Sequence, residues 1–299
     1  MIWVNAIIQG ILLGGLYALF ACGLSLMFGV MKVINLAHGD LAVVAGYFAL
    51  GIIAVTHTHT ISAIVHIPVG VSYALAVPVF AVVGYVLQRT LLQASLDRGV
   101  LTTLLVTFGL SVVVENGLQQ FLSANSHSLS IGSLVSDSFS IGSQITIAYL
   151  DLAILVVAVV VLLGLQYFLS KSKNGRLIRA VADDREAAQL SGVDYRHVFG
   201  IAAAIAFGTV ALAGLAFGMY LQFDPTTGTD QLLLFAFEVV VIGGLGSLWG
   251  TLAGGILLGV VQQLGGQYNA ADQILAGQLF FLLILVIRPQ GITSRRETA

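Results

Sequence analysis

The sequence predicts an all-α fold, a polytopic transmembrane helical bundle of about eight or nine spans, some broken or re-entrant. Three observations carry this expectation. Of the 299 residues, 58% are hydrophobic and only 9% charged, and the mean hydropathy is +0.99. A soluble domain carries about a quarter charged residues, so 12 Lys+Arg and 14 Asp+Glu cannot cover a water-facing surface of this length. Uncharged runs of membrane-crossing length recur, and 34 Gly against four Pro suits helices whose backbones approach closely in lipid. An ordinary soluble enzyme, a nucleic-acid binder and a disordered chain are excluded. Cys22, a single cysteine, excludes a disulfide framework and a cysteine-rich metal site.

The first element is the uncharged run from Met1 to Met31. It is longer than the roughly 20 residues that cross a bilayer, and Lys32, its first basic residue, follows the run instead of preceding it. It therefore reads as a retained first helix, not a signal peptide. Further candidate spans lie at 38–56, 67–88, 100–122, 146–169, 198–221, 231–247, 249–266 and 272–288, after the first at 5–30. They fall in a single transmembrane domain over 1–299. The Gly-rich region 231–266, interrupted by Gly246-Ser247-Leu248-Trp249-Gly250, reads as two short spans or a broken pair.

Basic residues set the orientation, because cytoplasmic loops retain Lys and Arg. Lys32 follows the first span, and Arg89 and Arg98 follow the third. Lys171, Lys173, Arg176, Arg179, Arg185 and Arg196 follow the fifth, and Arg288, Arg295 and Arg296 follow the last. With nine crossings all of them lie on one side. The N-terminus is then outside and the C-terminus cytoplasmic.

The most charged segment is 170–197, far longer than the other inside loops. Arg179, Ala182 and Glu186 are spaced to share one helix face, and the helix formers of 180–190 end at Gly192. A solvated connecting helix and a docking element for a soluble partner both fit this pattern. Glu186-Ala187-Ala188, three residues and Gly192 resemble the Glu-Ala-Ala-x-x-x-Gly loop of ABC importer permeases, although the downstream Ile-x-Leu-Pro part is absent. Gly10-Ile11-Leu12-Leu13-Gly14-Gly15-Leu16-Tyr17-Ala18-Leu19, Asn35-Leu36-Ala37-His38-Gly39-Asp40, Gly175-Arg176 and Gly243-Gly244-Leu245-Gly246-Ser247 occur in the order found in branched-chain amino acid (LIV-type) permeases of the H-subunit branch. The chain resembles that family over nearly its whole length.

The resemblance implies an importer's permease subunit in the plasma (inner) membrane of a bacterial or archaeal cell. It also implies a second permease subunit, two cytoplasmic ATPase subunits and an extracytoplasmic binding protein as partners. Coupling to the ATPases falls to Asp183, Asp184, Arg185, Glu186, Ala187, Ala188, Leu190 and Gly192, with Ala187 and Leu190 buried by docking and Asp184, Arg185 and Glu186 at the rim. Urea and short-amide permeases share most of these motifs, so that substrate class stays open beside branched-chain amino acids. A self-sufficient secondary carrier is a further alternative, which would not need a docking loop.

Polar residues inside apolar spans are the candidates for the translocation path. Asn35, His38 and Asp40 interrupt the chain between the first two spans, where Asn35 or Asp40 could also cap a helix start. Glu115 and Glu238 sit within spans, and a carboxylate at the bilayer centre costs about 2.5–3.5 kcal/mol on insertion scales, so each should face protein or water. His57, His59 and His66 crowd one outside loop and read as solvated, without a metal-ligand set. Paired glycines four apart, such as Gly10/Gly14 and Gly255/Gly259, read as close helix crossings. No Gly-x-x-x-x-Gly-Lys-Ser/Thr loop, Gly-x-Ser-x-Gly or His-Glu-x-x-His occurs. ATP hydrolysis is therefore expected on other subunits, with no cofactor on this chain.

Overall fold

The computed structural model describes residues 2–57, 69–122, 124–129, 138–141 and 145–293. In chain order these form α1 (Ile2–Met31), α2 (His38–His57), α3 (Val69–Leu87), a π-turn (Gln88–Leu92), α4 (Gln93–Leu96) and α5 (Val100–Leu122). A hairpin of β1 (Ser138–Ile141) and β2 (Ile145–Ala148) precedes α6 (Tyr149–Lys171). There follow α7 (Lys173–Asp183), α8 (Arg185–Leu190), α9 (Tyr195–Tyr220), a second π-turn (Gly228–Leu232), α10 (Leu233–Gly243), α11 (Leu248–Tyr268) and α12 (Asp272–Ile287). His59, His66, Arg295 and Arg296 lie outside the described residues, and so does most of the histidine loop.

Among the described residues, six segments are long and apolar enough to cross a membrane: Ile2–Met31, Gly70–Leu96, Val100–Leu122, Tyr149–Lys171, Tyr195–Tyr220 and Leu248–Tyr268. The 20 residues of α2 rise about 30 Å. The region expected to hold two short spans or a broken pair forms two helical runs, 227–243 and 248–268, with the interruption at 244–247. The second π-turn runs directly into α10, and the residues flanking it, Thr227 and Leu233, both keep helical angles. Residues 292 and 293 then donate their amides to the carbonyls of Ile242 and Gly243, which α10 leaves open at its end.

The described residues form two compact units. One draws on 1–32, 133–179 and 235–299, the other on 33–132 and 180–234. At the centre of the first, α1 is apolar all round and buried along most of its length, as a fully enclosed helix must be. It crosses α11 where glycines face one another. A Cβ on Gly10 would collide with the backbone of Val260, one on Gly14 with that of Ile256, and one on Gly259 with the carbonyl of Gly10. Backbone contact of this kind replaces the hydrophobic driving force that lipid removes. Gly259→Leu should therefore destabilise the permease by at least about 1–3 kcal/mol, the usual penalty for overpacking. Thermal denaturation in detergent would read this as an earlier transition, and an unchanged midpoint would contradict the crossing.

In the second unit α9 packs along α2 and α3, with Ala45, Phe80 and Ala211 fully enclosed and Val44 and Phe48 beside them. The outermost helix there, α5, reverses the polarity of a soluble helix. It buries Thr103, Thr107 and Ser111, four residues apart, and exposes Leu101, Leu105, Phe108 and Val113. Apolar side chains outward and hydroxyls inward is the arrangement lipid demands.

Candidate functional site

The expected docking loop folds as two helices, not one. Asp184 leaves helical geometry (φ −147°, ψ 104°), and its carboxylate accepts the amides of Glu186 at 2.9 Å and Ala187 at 3.0 Å. An aspartate that can cap two open N–H groups favours a helix start over a helix interior. The shared face of Arg179, Ala182 and Glu186 is therefore split, with Arg179, Ala182 and Asp183 on α7 and Glu186 on α8.

The other end of α8 is fixed as firmly. Gly192 takes φ +84°, its N–H donates to the Gln189 carbonyl at 2.9 Å, and Val193 N–H donates to the Ala188 carbonyl at 3.1 Å. These paired 5→2 and 6→1 bonds form a Schellman cap, which requires the left-handed residue that glycine supplies. Ala188 turns inward and is buried, whereas Glu186, Ala187 and Gln189 are exposed and Leu190 is 91% exposed. A six-residue helix held rigidly at both ends thus presents an apolar side chain outward.

Arg185 does not sit on that outer rim. Its guanidinium reaches Asp97 Oδ1 at 3.1 Å and lies 3.8 Å over the ring of Tyr195. The Asp97 carboxylate also accepts from Arg196 (3.2 Å), Gln93 (3.0 Å) and Tyr195 Oη (3.4 Å), and Arg89 pairs with Asp194 at 3.6 Å. Partial desolvation pushes the Asp97 carboxyl up, but the bonds from Arg185 and Gln93 and the charges of Arg196 and Arg185 outweigh it and hold the group below its ordinary value. A depressed carboxyl contributes stability above the unfolded value of about 4 and loses it as pH falls through the lower folded value. The junction is therefore intact throughout the neutral range.

Four of the five path candidates lie in the second unit. Asn35 is buried, and its Oδ1 accepts the Ala37 amide at 3.1 Å just before α2 begins at His38, which is also buried. Asp40 does not cap its helix through its side chain. Its buried carboxylate accepts from Ser111 Oγ of α5 and from Thr229 Oγ1 of the second π-turn at 2.8 Å. The π-turn comes so near that a Cβ on Gly39 would strike the Gly228 carbonyl. Glu115, one helical turn beyond Ser111, is half-buried and accepts from Gln119 at 3.3 Å. Glu238 belongs to the first unit, on α10. It is completely buried, neither carboxylate oxygen meets a donor in hydrogen-bonding geometry, and Gln278 of α12 is a polar neighbour. Among the described residues no three His, Cys, Asp or Glu side chains converge as metal ligands.

Residues 6–288 match the family described as the permease component of the branched-chain amino acid transport system. The chain belongs to that family. It is 30% identical to the high-affinity branched-chain amino acid transport system permease protein BraD of Pseudomonas aeruginosa, over 99% of this chain and 97% of BraD. It is 27% identical to the permease protein LivH of the same kind of system in Escherichia coli, over 97% of this chain and 94% of LivH. With the Escherichia coli permease protein LivM it shares 29% identity over 40% of this chain and 28% of LivM. No solved structure matches it significantly.

Three residues of this integral membrane permease escape the motif reading: Ser111, Thr229 and Asp97. Ser111 carried a signal, since Thr103, Thr107 and Ser111 recur every four residues in an otherwise apolar span. Thr229 and Asp97 are brought to their partners by the fold, across 189 and 88 residues of chain to Asp40 and Arg185.

Proposed function

We propose that this chain is one of two membrane-spanning permease subunits of an ABC importer for branched-chain amino acids. ATP hydrolysis occurs on a pair of cytoplasmic ATPase subunits, and an extracytoplasmic binding protein delivers the substrate. Full-length similarity to BraD and LivH supports the transported class, and the partial likeness to LivM supports a related second permease. The observation that carries the mechanism is α8, capped at both ends with Leu190 turned outward. ATP-driven closure of the ATPases acts on this helix and switches the bundle between outward and inward access. Asn35, His38, Asp40, Glu115 and Glu238 supply the few polar groups along the route, which suits a zwitterion with an apolar side chain.

Proteoliposomes holding the assembled transporter should take up leucine, isoleucine and valine when ATP is inside and binding protein outside. Uptake of urea or acetamide in preference to these would overturn the substrate class, and uptake independent of ATP would overturn the importer.

The distribution of the twelve basic residues supports an N-terminus outside and a C-terminus inside. Cysteines introduced by Ser126→Cys and Lys173→Cys, both at exposed positions, should then label from opposite sides of sealed membranes. Native Cys22 is buried and adds little background. Labelling of both from outside would defeat the topology.

A further inference from the structure

We propose that Asp97 is a positioning residue that couples α8 to the start of α5, so that motion of the docking helix reaches the membrane-buried hydroxyl face. The inference rests on the reading of α8 as the ATPase docking element.

Asp97 lies between α4 and α5 and gathers four donors on one carboxylate: Arg185 from α8, Arg196 and Tyr195 from α9, and Gln93 from α4. The three ion pairs among the described residues all fall at this junction. A single exposed pair contributes little, and these side chains are 32% exposed for Asp97 and 39% for Arg185. The arrangement here is a network instead. Arg185 is fixed in direction by its bond to Asp97 and in plane by the Tyr195 ring, so little freedom remains to absorb a displacement of α8. Arg185 is also the first residue of α8, immediately after its capping Asp184. A push on the helix therefore arrives at Asp97 directly.

Beyond Asp97 the chain turns through Gly99 at φ +114°, where a Cβ would meet nothing within 4 Å. The glycine is there for its backbone angle, and it lets α5 begin at Val100 in a direction set by Asp97. Three turns on, Ser111 of the same helix donates to the buried Asp40. The route from α8 through Asp97 and Gly99 to Ser111 and Asp40 lies wholly within one compact unit. A rigid helix linked at one end to the docking element, and at its middle to a buried carboxylate, is the kind of part that carries coupling between sites.

The test uses the assembled transporter in proteoliposomes and measures substrate transported per ATP hydrolysed, a ratio that does not depend on how much protein folds. Asp97→Asn should keep the ATPase subunits bound yet lower this ratio about fivefold, the low end of ordinary coupling between sites. Arg185→Gln should lower it too, and Asp97→Asn with Arg185→Gln should lose less than the two singles combined, because the Asp97–Arg185 contact is counted in both. Should Asp97→Asn fail to assemble, Arg185→Gln alone decides. A normal ratio in the single variants, or additive losses in the double, would overturn the role of Asp97. Leu190→Asp run alongside separates the two readings. If it leaves the ATPases bound, docking through α8 falls and this proposal with it; if it releases them while Asp97→Asn stays coupled, only the proposal falls.

Discussion

Gly192→Val should uncouple the permease from its ATPases, whereas Gly192→Asn should leave transport close to normal. The contrast follows from backbone conformation alone. Gly192 sits at φ +84°, and a Cβ there would meet nothing within 4 Å, so no steric clash with neighbours enters. What remains is the intrinsic penalty of a β-branched residue in left-handed geometry, about 1–3 kcal/mol. Asparagine tolerates that geometry at helix ends. With valine, the Schellman bonds to the Gln189 and Ala188 carbonyls open and the last turn of α8 frays. Leu190 stands in that turn. Its burial on docking would contribute about 1.5–3 kcal/mol, and misplacing it by about 2 kcal/mol weakens ATPase binding some 30-fold. Co-purification of the ATPases and substrate-stimulated ATP turnover in detergent would show the loss in Gly192→Val and its absence in Gly192→Asn. Equal behaviour of the two variants would mean that the cap does not hold the docking surface.

How much of this was legible beforehand depended on whether the signal was local. Long uncharged runs named nearly every membrane helix within a few residues, because a segment's own composition decides whether it enters lipid. The break at Asn35–Asp40 and the one between α10 and α11 were likewise visible as polar or Gly-rich interruptions. The split between α7 and α8 was not, because the spacing of Arg179, Ala182 and Glu186 was read as one helix face and Asp184 as a rim charge, not as a cap. The β1–β2 hairpin was passed over as part of a Ser-rich break, although Ser138-Phe139-Ser140-Ile141 and Ile145-Thr146-Ile147 alternate as strands do. The candidate site divides the same way. Glu186, Ala187, Leu190 and Gly192 form a sequence motif and could be named directly. Arg185 was placed on the rim because nothing in its neighbourhood reveals Asp97, 88 residues away. Asp40 was named as a polar path candidate, yet its partners Ser111 and Thr229 come from distant elements.

Glu238→Leu should raise the thermal stability of the permease and abolish most of its transport. The carboxylate is fully buried on α10, and neither oxygen meets a donor in hydrogen-bonding geometry. A group in that position destabilises the fold, since burying a polar group without a hydrogen bond costs about 1–3 kcal/mol by mutational measures and a charge costs more. If hydrogen bonding were its task, Glu238→Gln would fold better than Glu238→Leu. With Gln278 as its polar neighbour and neither oxygen bonded in good geometry, leucine is expected to be at least as well tolerated as glutamine. Removing the penalty should move the unfolding midpoint upward by a few degrees, about 2–4 °C per kcal/mol in a chain of this size. A residue that weakens the bundle where it stands is most simply explained by what it does during transport, when the helices around it rearrange and a solute's ammonium or water reaches it. On that reading both substitutions should cut uptake at least tenfold with the ATPases still bound and still hydrolysing ATP. A lower midpoint with undiminished uptake would make Glu238 a structural residue and remove it from the path.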